Sequence, residues 1–169
     1  MLRVLGKVQR IGIITESLPP QEEPVLRAVG AELQEAVAAR FRGSLAIRQV
    51  DAGSCNGCEL EIQALGNAVY NLAAIGVRLV ASPRHADILL VTGPVTRAMA
   101  DPLRMAYDAI PDPKRVVALG DCACGCGVYT ANYATVGAVG CVLPVDLTIP
   151  GCPPPPEIIY EAFAALMRP

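Results

Sequence analysis

Apolar residues along the chain follow two spacings, one typical of helices and one typical of strands. In four segments they recur every three or four positions, and between these segments they form short runs. The predicted helices cover residues 24–42, 59–74, 99–110 and 154–167, and the predicted strands cover residues 44–50, 77–81, 88–91 and 115–119, with a strand or extended arm at 11–15. Short apolar strands that alternate with helices indicate an α/β fold, with a mostly parallel sheet covered on both faces.

The composition indicates one folded domain that contacts another protein. The 169 residues are 53% hydrophobic and 18% charged, which excludes a disordered chain. The formal net charge is -2, so no basic excess is available to bind a nucleic acid. The mean hydropathy of +0.41 is high for a small soluble protein, and we expect part of the apolar surface to face another subunit.

The amino-terminal residues predict neither a signal peptide nor a transmembrane segment. Arg3, Lys7, Arg10 and Glu16 interrupt the apolar runs, and no stretch approaches the ~20 apolar residues that a bilayer requires. The seven cysteines are an odd number, whereas a secreted disulfide framework usually has an even one. We therefore expect a reducing compartment, in which the thiols are free, catalytic or bound to metal.

Four of the cysteines lie where predicted strands end or predicted helices begin. Cys55 and Cys58 lie between the strand at 44–50 and the next helix. Cys122 follows a later strand, and Cys152 precedes the last helix. Because the loops beyond the carboxyl ends of parallel strands converge on one edge of a sheet, we expect these four thiols to meet there.

Four thiols from distant loops suit a metal centre, although the residues alone leave its type open. Zinc and iron–sulfur clusters both accept four thiolates, and unligated core thiols are a third interpretation. Zinc sites in small domains usually consist of two local pairs, and only Cys55-x-x-Cys58 is such a pair here. A [4Fe-4S] cluster accepts ligands from separated loops, and the glycines beside these cysteines leave space for it. The spacing therefore favours a [4Fe-4S] cluster.

Three further cysteines complicate the choice of ligands. Cys124 and Cys126 form a C-x-C-x-C motif with Cys122, so any of the three is a candidate third ligand. Cys141 starts an apolar run, and we predict that it is buried as a small hydrophobic side chain. Three spare cysteines are too few for a second four-thiolate cluster, so one cluster is expected.

The glycine-rich segment 120–127 also permits a phosphate loop after a strand. However, Thr130 stands where a dinucleotide loop has its third glycine, and no Lys-Ser/Thr pair follows a glycine run elsewhere. No bound nucleotide is therefore expected.

The remaining candidate residues are acidic or basic side chains near the predicted loops. His85, the only histidine, is predicted to pack in a loop or an interface rather than to bind metal. Glu59 and Glu61 complement the dipole at the start of a predicted helix. A proton or hydrogen-bond role at the cluster is the alternative for both.

Four ordered motifs resemble one known family of redox subunits. They are Asp51-Ala-Gly-Ser-Cys-Asn-Gly-Cys-Glu-Leu-Glu61, Ser82-Pro-Arg-His-Ala-Asp-Ile-Leu-Leu-Val-Thr-Gly-Pro-Val95, Val117-Ala-Leu-Gly-Asp-Cys-Ala123 and Val145-Asp-Leu-Thr-Ile-Pro-Gly-Cys-Pro-Pro154. The chain resembles the 20 kDa subunit family of respiratory complex I, which includes small subunits of membrane-bound [NiFe] hydrogenases and of formate hydrogenlyase. The likeness begins near residue 44. It predicts an extension with one amphipathic helix over 1–43 and an iron–sulfur-binding α/β domain over 44–169.

The resemblance implies a flavodoxin-like three-layer domain that carries one [4Fe-4S] cluster. By motif, the cluster ligands are Cys55, Cys58, Cys122 and Cys152. Glu61 lies where the family has a glutamate near the cluster, which favours a role in cluster tuning or proton handling.

Cys124 and Cys126 depart from the family pattern. The family usually has small or polar residues and glycines after the third ligand. These two cysteines are therefore candidate alternative ligands or a candidate redox-sensitive pair.

The spacing of the first two cysteines distinguishes two branches of the family. Complex I subunits have two adjacent cysteines there, whereas Cys55-Asn-Gly-Cys58 has the hydrogenase form. The resemblance thus implies an electron-transfer small subunit of an oxidoreductase complex, with no complete active site in this chain. The first alternative is a complex I subunit that delivers electrons to quinone, and the second is a non-catalytic zinc or Fe-S scaffold in a hydrogenase-like complex.

The resemblance also implies the surroundings of the chain. The expected partners are a hydrogenase large subunit or its complex I homologue, together with ferredoxin-like and membrane subunits. The expected location is peripheral, on the cytoplasmic side of the inner membrane.

Overall fold

The structure is a computed structural model, and it describes residues 6–7, 9–10 and 24–167. The strand or extended arm predicted at 11–15 lies outside the described residues. No helix in the described ranges is both long enough and apolar enough to cross a membrane.

The centre of the fold is a five-stranded parallel sheet. Its strands are β1 (Leu45–Asp51), β2 (Val77–Leu79), β3 (Ile88–Thr92), β5 (Arg115–Leu119) and β7 (Leu147–Ile149), in the order β2-β1-β3-β5-β7. This is the order of flavodoxin-like doubly wound sheets, in which the chain changes direction between β1 and β3. Two short strands, β4 (Val95–Thr96) and β6 (Thr135–Gly137), form a separate antiparallel pair.

Helices cover both faces of the sheet. They are α1 (Pro24–Phe41), α2 (Gly57–Ala64), α3 (Arg97–Ala109), the short α4 (Asp121–Cys124) and α5 (Pro156–Leu166). All five residues of β3 are buried, because Leu90 packs in the core with α1, α2 and α5, while Leu89 packs in the core with α3. The sheet is therefore a middle layer between two layers of helices, which confirms the predicted α/β three-layer class. Burial on both faces also explains why the sequence of β3 is a continuous hydrophobic run.

The predicted helix over 59–74 is too long. The helix α2 ends at Ala64, because Gly66 and Asn67 turn the chain there. The Asn67 side-chain oxygen accepts the N–H groups of Val69 and Tyr70 at 2.8 and 3.0 Å, in place of helical partners. A separate 3-10 turn, Leu72–Ile75, then leads into β2.

The strand β7 was not predicted, although it completes the sheet. It has only three residues, Leu147–Ile149, and a proline-rich segment follows directly, so its apolar pattern is too short to predict a strand. In the structure, Val117 to Leu119 of β5 align with Leu147 to Ile149 of β7 in parallel register. The sheet therefore has one more strand than the apolar pattern predicts.

The amphipathic helix predicted from Pro24 is confirmed as α1. Leu33 and Val37 are fully buried in the core that also contains Ile47 of β1 and Phe163 of α5. The domain boundary at 43/44 stays a prediction, but α1 shares its core with the sheet.

Substitution of Leu33 by Ala tests this shared core. Because the Leu33 side chain is 0% exposed, we expect the free energy of unfolding to fall by about 3 kcal/mol. The control is Leu60→Ala on α2, where 57% exposure predicts a change within about 0.5 kcal/mol. Urea denaturation followed by circular dichroism measures both, and equal effects would contradict a core role for α1.

Candidate metal centre

The loops at the carboxyl edge of the sheet enclose one cavity. The loops after β1, β3, β5 and β7 all contribute to its wall, as expected for a parallel sheet. The cavity volume is about 100 Å³. Its lining residues are Ser54, Cys55, Gly57, Cys58, Gly93, Pro94, Asp121, Cys122, Tyr129, Gly151, Cys152 and Pro153. The structure therefore brings together the four cysteines that the sequence predicts as cluster ligands.

The loop after β1 carries two of these cysteines in a fixed turn. The Asp51 side-chain oxygen accepts the N–H groups of Gly53 and Ser54 at 2.8 and 2.7 Å. Asn56 then takes the left-handed conformation, with φ 71°, which Asn tolerates better than most residues. The helix α2 begins directly afterwards, so Cys55 and Cys58 line the same cavity.

Gly120 lets the loop after β5 approach the thiol of Cys58. Its φ of 92° and ψ of 155° belong to a region that is open almost only to glycine. A Cβ atom at this position would lie 2.6 Å from the Cys58 sulfur. The thiol of one ligand loop therefore packs directly on the backbone of another.

Hydrogen bonds join the loop after β5 to the loop after β7. Gly120 N–H donates to the Ile149 carbonyl at 2.8 Å, which continues the pairing of the two strands. Asp121 N–H donates to the Gly151 carbonyl at 2.9 Å, and Gly151 N–H donates to the Asp121 carboxylate at 2.7 Å. Cys122 and Cys152 each follow directly after a bonded residue.

The electrostatic surroundings disfavour free thiolates in the cavity. Burial, together with the neighbouring Glu59 and the three other cavity cysteines, raises the pKa of Cys58 from 9.0 to about 12. Burial, followed by the neighbouring Cys152, also raises the pKa of Cys122. A cationic centre is therefore needed to hold these sulfurs together as thiolates.

The cavity fits a multi-atom cluster better than a single ion. Its volume is several times the ~10–15 Å³ that one water molecule requires on the same measure. Tetrahedral zinc needs its sulfurs close together, since each Zn–S bond is about 2.3 Å. Among the described residues, no group of three or more Cys, His, Asp or Glu side chains has the spacing for one metal ion. The donor set fits an iron–sulfur cluster, which spreads four thiolates over a larger volume.

The other cysteines do not line this cavity. Cys124 is half-buried against the α3-side core, and its sulfur lies 3.6 Å from the Ala118 carbonyl oxygen. Cys126 is exposed, beside Asp121. The prediction that Cys141 is buried is wrong: it ends the 3-10 turn Val139–Cys141 and is exposed, whereas Val139 points into the core.

The candidate charged residues lie around the cavity rather than in it. Glu59 is 7% exposed, one of its oxygens contacts the Thr92 hydroxyl, and the other is buried without a partner among the described residues. Glu61 is half-buried on α2 and does not line the cavity. His85 is exposed in the 3-10 turn Pro83–His85, where it does not contact the cavity.

Gly57 and Gly151, two of the glycines predicted to leave space for a cluster, line the cavity, but sequence reasoning did not place three other residues in its wall. Tyr129, Pro94 and Pro153 line the cavity beside the thiols. Pro153 directly follows a cysteine, so its sequence position was a usable signal. Tyr129 has no such signal, because its place depends on how residues 125–135 fold back over the loop.

Comparison with known proteins identifies the family. Residues 55–166 match the family described as NADH ubiquinone oxidoreductase, 20 Kd subunit. The chain belongs to this family. The resemblance noted from the four motifs is thereby confirmed, and the matched region contains all four cavity cysteines.

Two similar proteins are described as subunits of a membrane-bound hydrogenase and of formate hydrogenlyase. The chain is 48% identical over 119 residues to the probable membrane-bound hydrogenase subunit mbhJ of Pyrococcus furiosus, covering 70% of this chain and 71% of that protein. It is 40% identical over 134 residues to formate hydrogenlyase subunit 7 of Escherichia coli, covering 79% of this chain. The chain spans only 52% of the length of that second protein.

One solved structure is similar to this chain in both fold and sequence. It is a chain from the membrane-bound sulfane sulfur reductase, an archaeal respiratory membrane complex. The TM-score is 0.66 at 34% identity, with 79% of this chain and 74% of that chain covered.

Substitution of Gly120 by Ala tests the close approach of the Cys58 thiol. The new Cβ would displace the thiol and strain the backbone by about 1–3 kcal/mol. If the cavity binds an iron–sulfur cluster, we expect the purified variant to contain much less iron than the wild-type chain. The control is Gly140→Ala, because a Cβ there meets nothing within 4 Å. Iron content is measured after anaerobic purification, with circular dichroism to confirm folding. Normal iron in a folded Gly120→Ala chain would contradict the role of this glycine.

The raised pKa of Cys58 predicts that the metal-free chain loses stability in alkaline solution. Because the folded state disfavours the thiolate, this thiol stabilises the fold fully below pH 9, and the contribution is lost as the pH rises through about 12. Burial also raises the pKa of Cys124 to about 11, which acts in the same direction. We expect the free energy of unfolding to fall between about pH 9 and about pH 12, and to fall less in Cys58→Ser. Urea denaturation at each pH measures the free energy of unfolding. An equal fall in the wild-type chain and in Cys58→Ser would refute the role of the Cys58 thiol.

Proposed function

We propose that this chain is the electron-transfer small subunit of a membrane-associated [NiFe] hydrogenase-type complex. In this proposal it holds one [4Fe-4S] cluster through Cys55, Cys58, Cys122 and Cys152, close to the active site of the large subunit. The observation that carries the proposal is the convergence of these four thiols, from three distant loops, on one cavity of about 100 Å³. Membership of the 20 kDa subunit family supports it.

The residues of the cavity have distinct roles in this proposal. The four thiolates bind the cluster, and Gly120 keeps the Cys58 sulfur close to the neighbouring loop. Free N–H groups at the start of α2 favour a negatively charged group beside them. Pro94, Pro153 and Tyr129 form the apolar part of the wall beside the sulfurs. When bound, the cluster would accept and donate one electron at a time.

The spacing Cys55-Asn-Gly-Cys58 favours the hydrogenase branch over the complex I branch. In the structure, Asn56 and Gly57 form the turn that separates the two thiols within one cavity wall. The identity of 48% to a membrane-bound hydrogenase subunit supports this branch.

The second candidate function is the delivery of electrons to quinone in a complex I-type enzyme. The description of the matched family as an NADH ubiquinone oxidoreductase subunit favours it. Both candidates place the chain in an oxidoreductase complex and use the same cluster ligands. They differ in the partner subunit, which carries nickel only in the hydrogenase.

The proposal is tested on the tagged chain, purified anaerobically with the subunits that copurify. We expect a brown preparation with iron and acid-labile sulfide in equal amounts, and an electron paramagnetic resonance (EPR) signal of a reduced [4Fe-4S] cluster. Nickel in the copurified large subunit and hydrogen-dependent dye reduction would support the hydrogenase branch. Quinone reduction without nickel would support the complex I branch instead.

Single substitutions then test the ligand set. Serine at position 55, 58, 122 or 152 should change or abolish the EPR signal, because each replaces a cluster-binding thiolate. The matched control is Cys141→Ser, since Cys141 is exposed and does not line the cavity. A colourless preparation with stoichiometric zinc would refute the electron-transfer role and leave the scaffold alternative.

A further inference from the structure

Asp121 bonds with both its backbone and its side chain to the loop that carries Cys152. Its N–H donates to the Gly151 carbonyl, and its carboxylate oxygen accepts the Gly151 N–H. The two bonds, at 2.9 and 2.7 Å, extend the pairing of β5 and β7 beyond the ends of both strands. They hold Asp121 and Gly151 side by side. In each of the two loops the next residue is a cavity cysteine, so the two hydrogen bonds fix the distance between Cys122 and Cys152.

Asp121 also contacts the last cysteine of the C-x-C-x-C motif, Cys126. Its carbonyl accepts the N–H groups of Cys126 and Gly127 at 3.0 and 2.9 Å, which turns the chain back after α4. The Cys126 sulfur lies 3.6 Å from the same carboxylate oxygen that binds Gly151. Cys126 is thereby held on the outer side of Asp121, where it is exposed and does not line the cavity.

Cys124, the middle cysteine of the motif, is kept out of the cavity by a different contact. The Cys124 sulfur faces the Ala118 carbonyl, and its side chain packs against the α3-side core. Of the three adjacent candidates, only Cys122 lines the cavity. The selection between Cys122 and Cys126 therefore depends on Asp121.

We propose that Asp121 is the positioning residue of the metal centre, which sets Cys122 against Cys152 and excludes Cys126 as a ligand. This inference rests on the proposed function, because it takes Cys122 and Cys152 as cluster ligands. Hydrogen bonds behind the ligands of a metal site orient them, and their loss usually weakens metal binding about 10–100-fold. The acceptor that matters here is the carboxylate oxygen Oδ1, since it bonds Gly151 N–H and lies beside the Cys126 thiol.

The test compares Asp121→Asn, Asp121→Ala and Cys126→Ser with the wild-type chain, each purified anaerobically in its complex. Asparagine keeps the oxygen that accepts the Gly151 N–H, so Asp121→Asn should retain wild-type iron content and the wild-type EPR signal. Asp121→Ala lacks this acceptor, so it should lose iron to a chelator about 10-fold faster and show an altered signal. Cys126→Ser should match the wild type, because Cys126 is not a ligand when Asp121 is present.

The double variant Asp121→Ala/Cys126→Ser tests the exclusion of Cys126. If Cys126 replaces Cys122 in Asp121→Ala, the double variant should lose the signal that remains in the single variant. An unchanged signal in the double variant would overturn the exclusion of Cys126. Wild-type behaviour of Asp121→Ala, or equal defects in Asp121→Asn and Asp121→Ala, would overturn the positioning role. A wild-type chain without iron would refute the proposed function itself, before any variant is compared.

Discussion

The site depends on holding four sulfur atoms together where their negative charge is unfavourable. Burial and the neighbouring thiols oppose ionisation of Cys58 and Cys122, because both raise the pKa of these two groups. Near neutral pH these two thiols stay protonated in the metal-free chain, and they become thiolates when a positive centre balances the charge. The parallel sheet supplies rigidity, since its buried strands end at one edge and each loop starts from a fixed position.

Two aspartates at strand ends fix the loops in similar ways. Asp51 ends β1, and its side chain caps the N–H groups of the turn that leads to Cys55. Asp121 follows β5, and its side chain reaches across to the loop after β7. One carboxylate shapes a loop locally, whereas the other joins two loops that lie 30 residues apart in sequence. Together they orient three of the four segments that line the cavity.

The sequence predicted the parts that depend on periodicity and position. The buried strands and long helices produce strong apolar patterns, and the cysteines follow strand ends, so the fold class and the convergence of the thiols could be inferred. Shorter features depend on individual hydrogen bonds, which a pattern does not contain. Asn67 ends a helix through its side chain, and β7 is only three residues long. The role of Asp121 was invisible for the same reason, since its partner Gly151 is distant in sequence.

The position of β7 has a consequence for the order in which the metal centre is assembled. Among the described strands, β7 lies at the edge of the sheet, pairs with β5 and comes latest in the sequence. The fourth thiol, on Cys152, reaches the others only after this strand has docked. A ribosome-bound chain that stops short of residue 152 contains three of the four sulfurs and an open wall. In the proposed function, insertion of the cluster therefore follows synthesis of the segment that contains Cys152. A chain truncated before this segment lacks one ligand and also the buried side chains of Ile159 and Phe163 on α5.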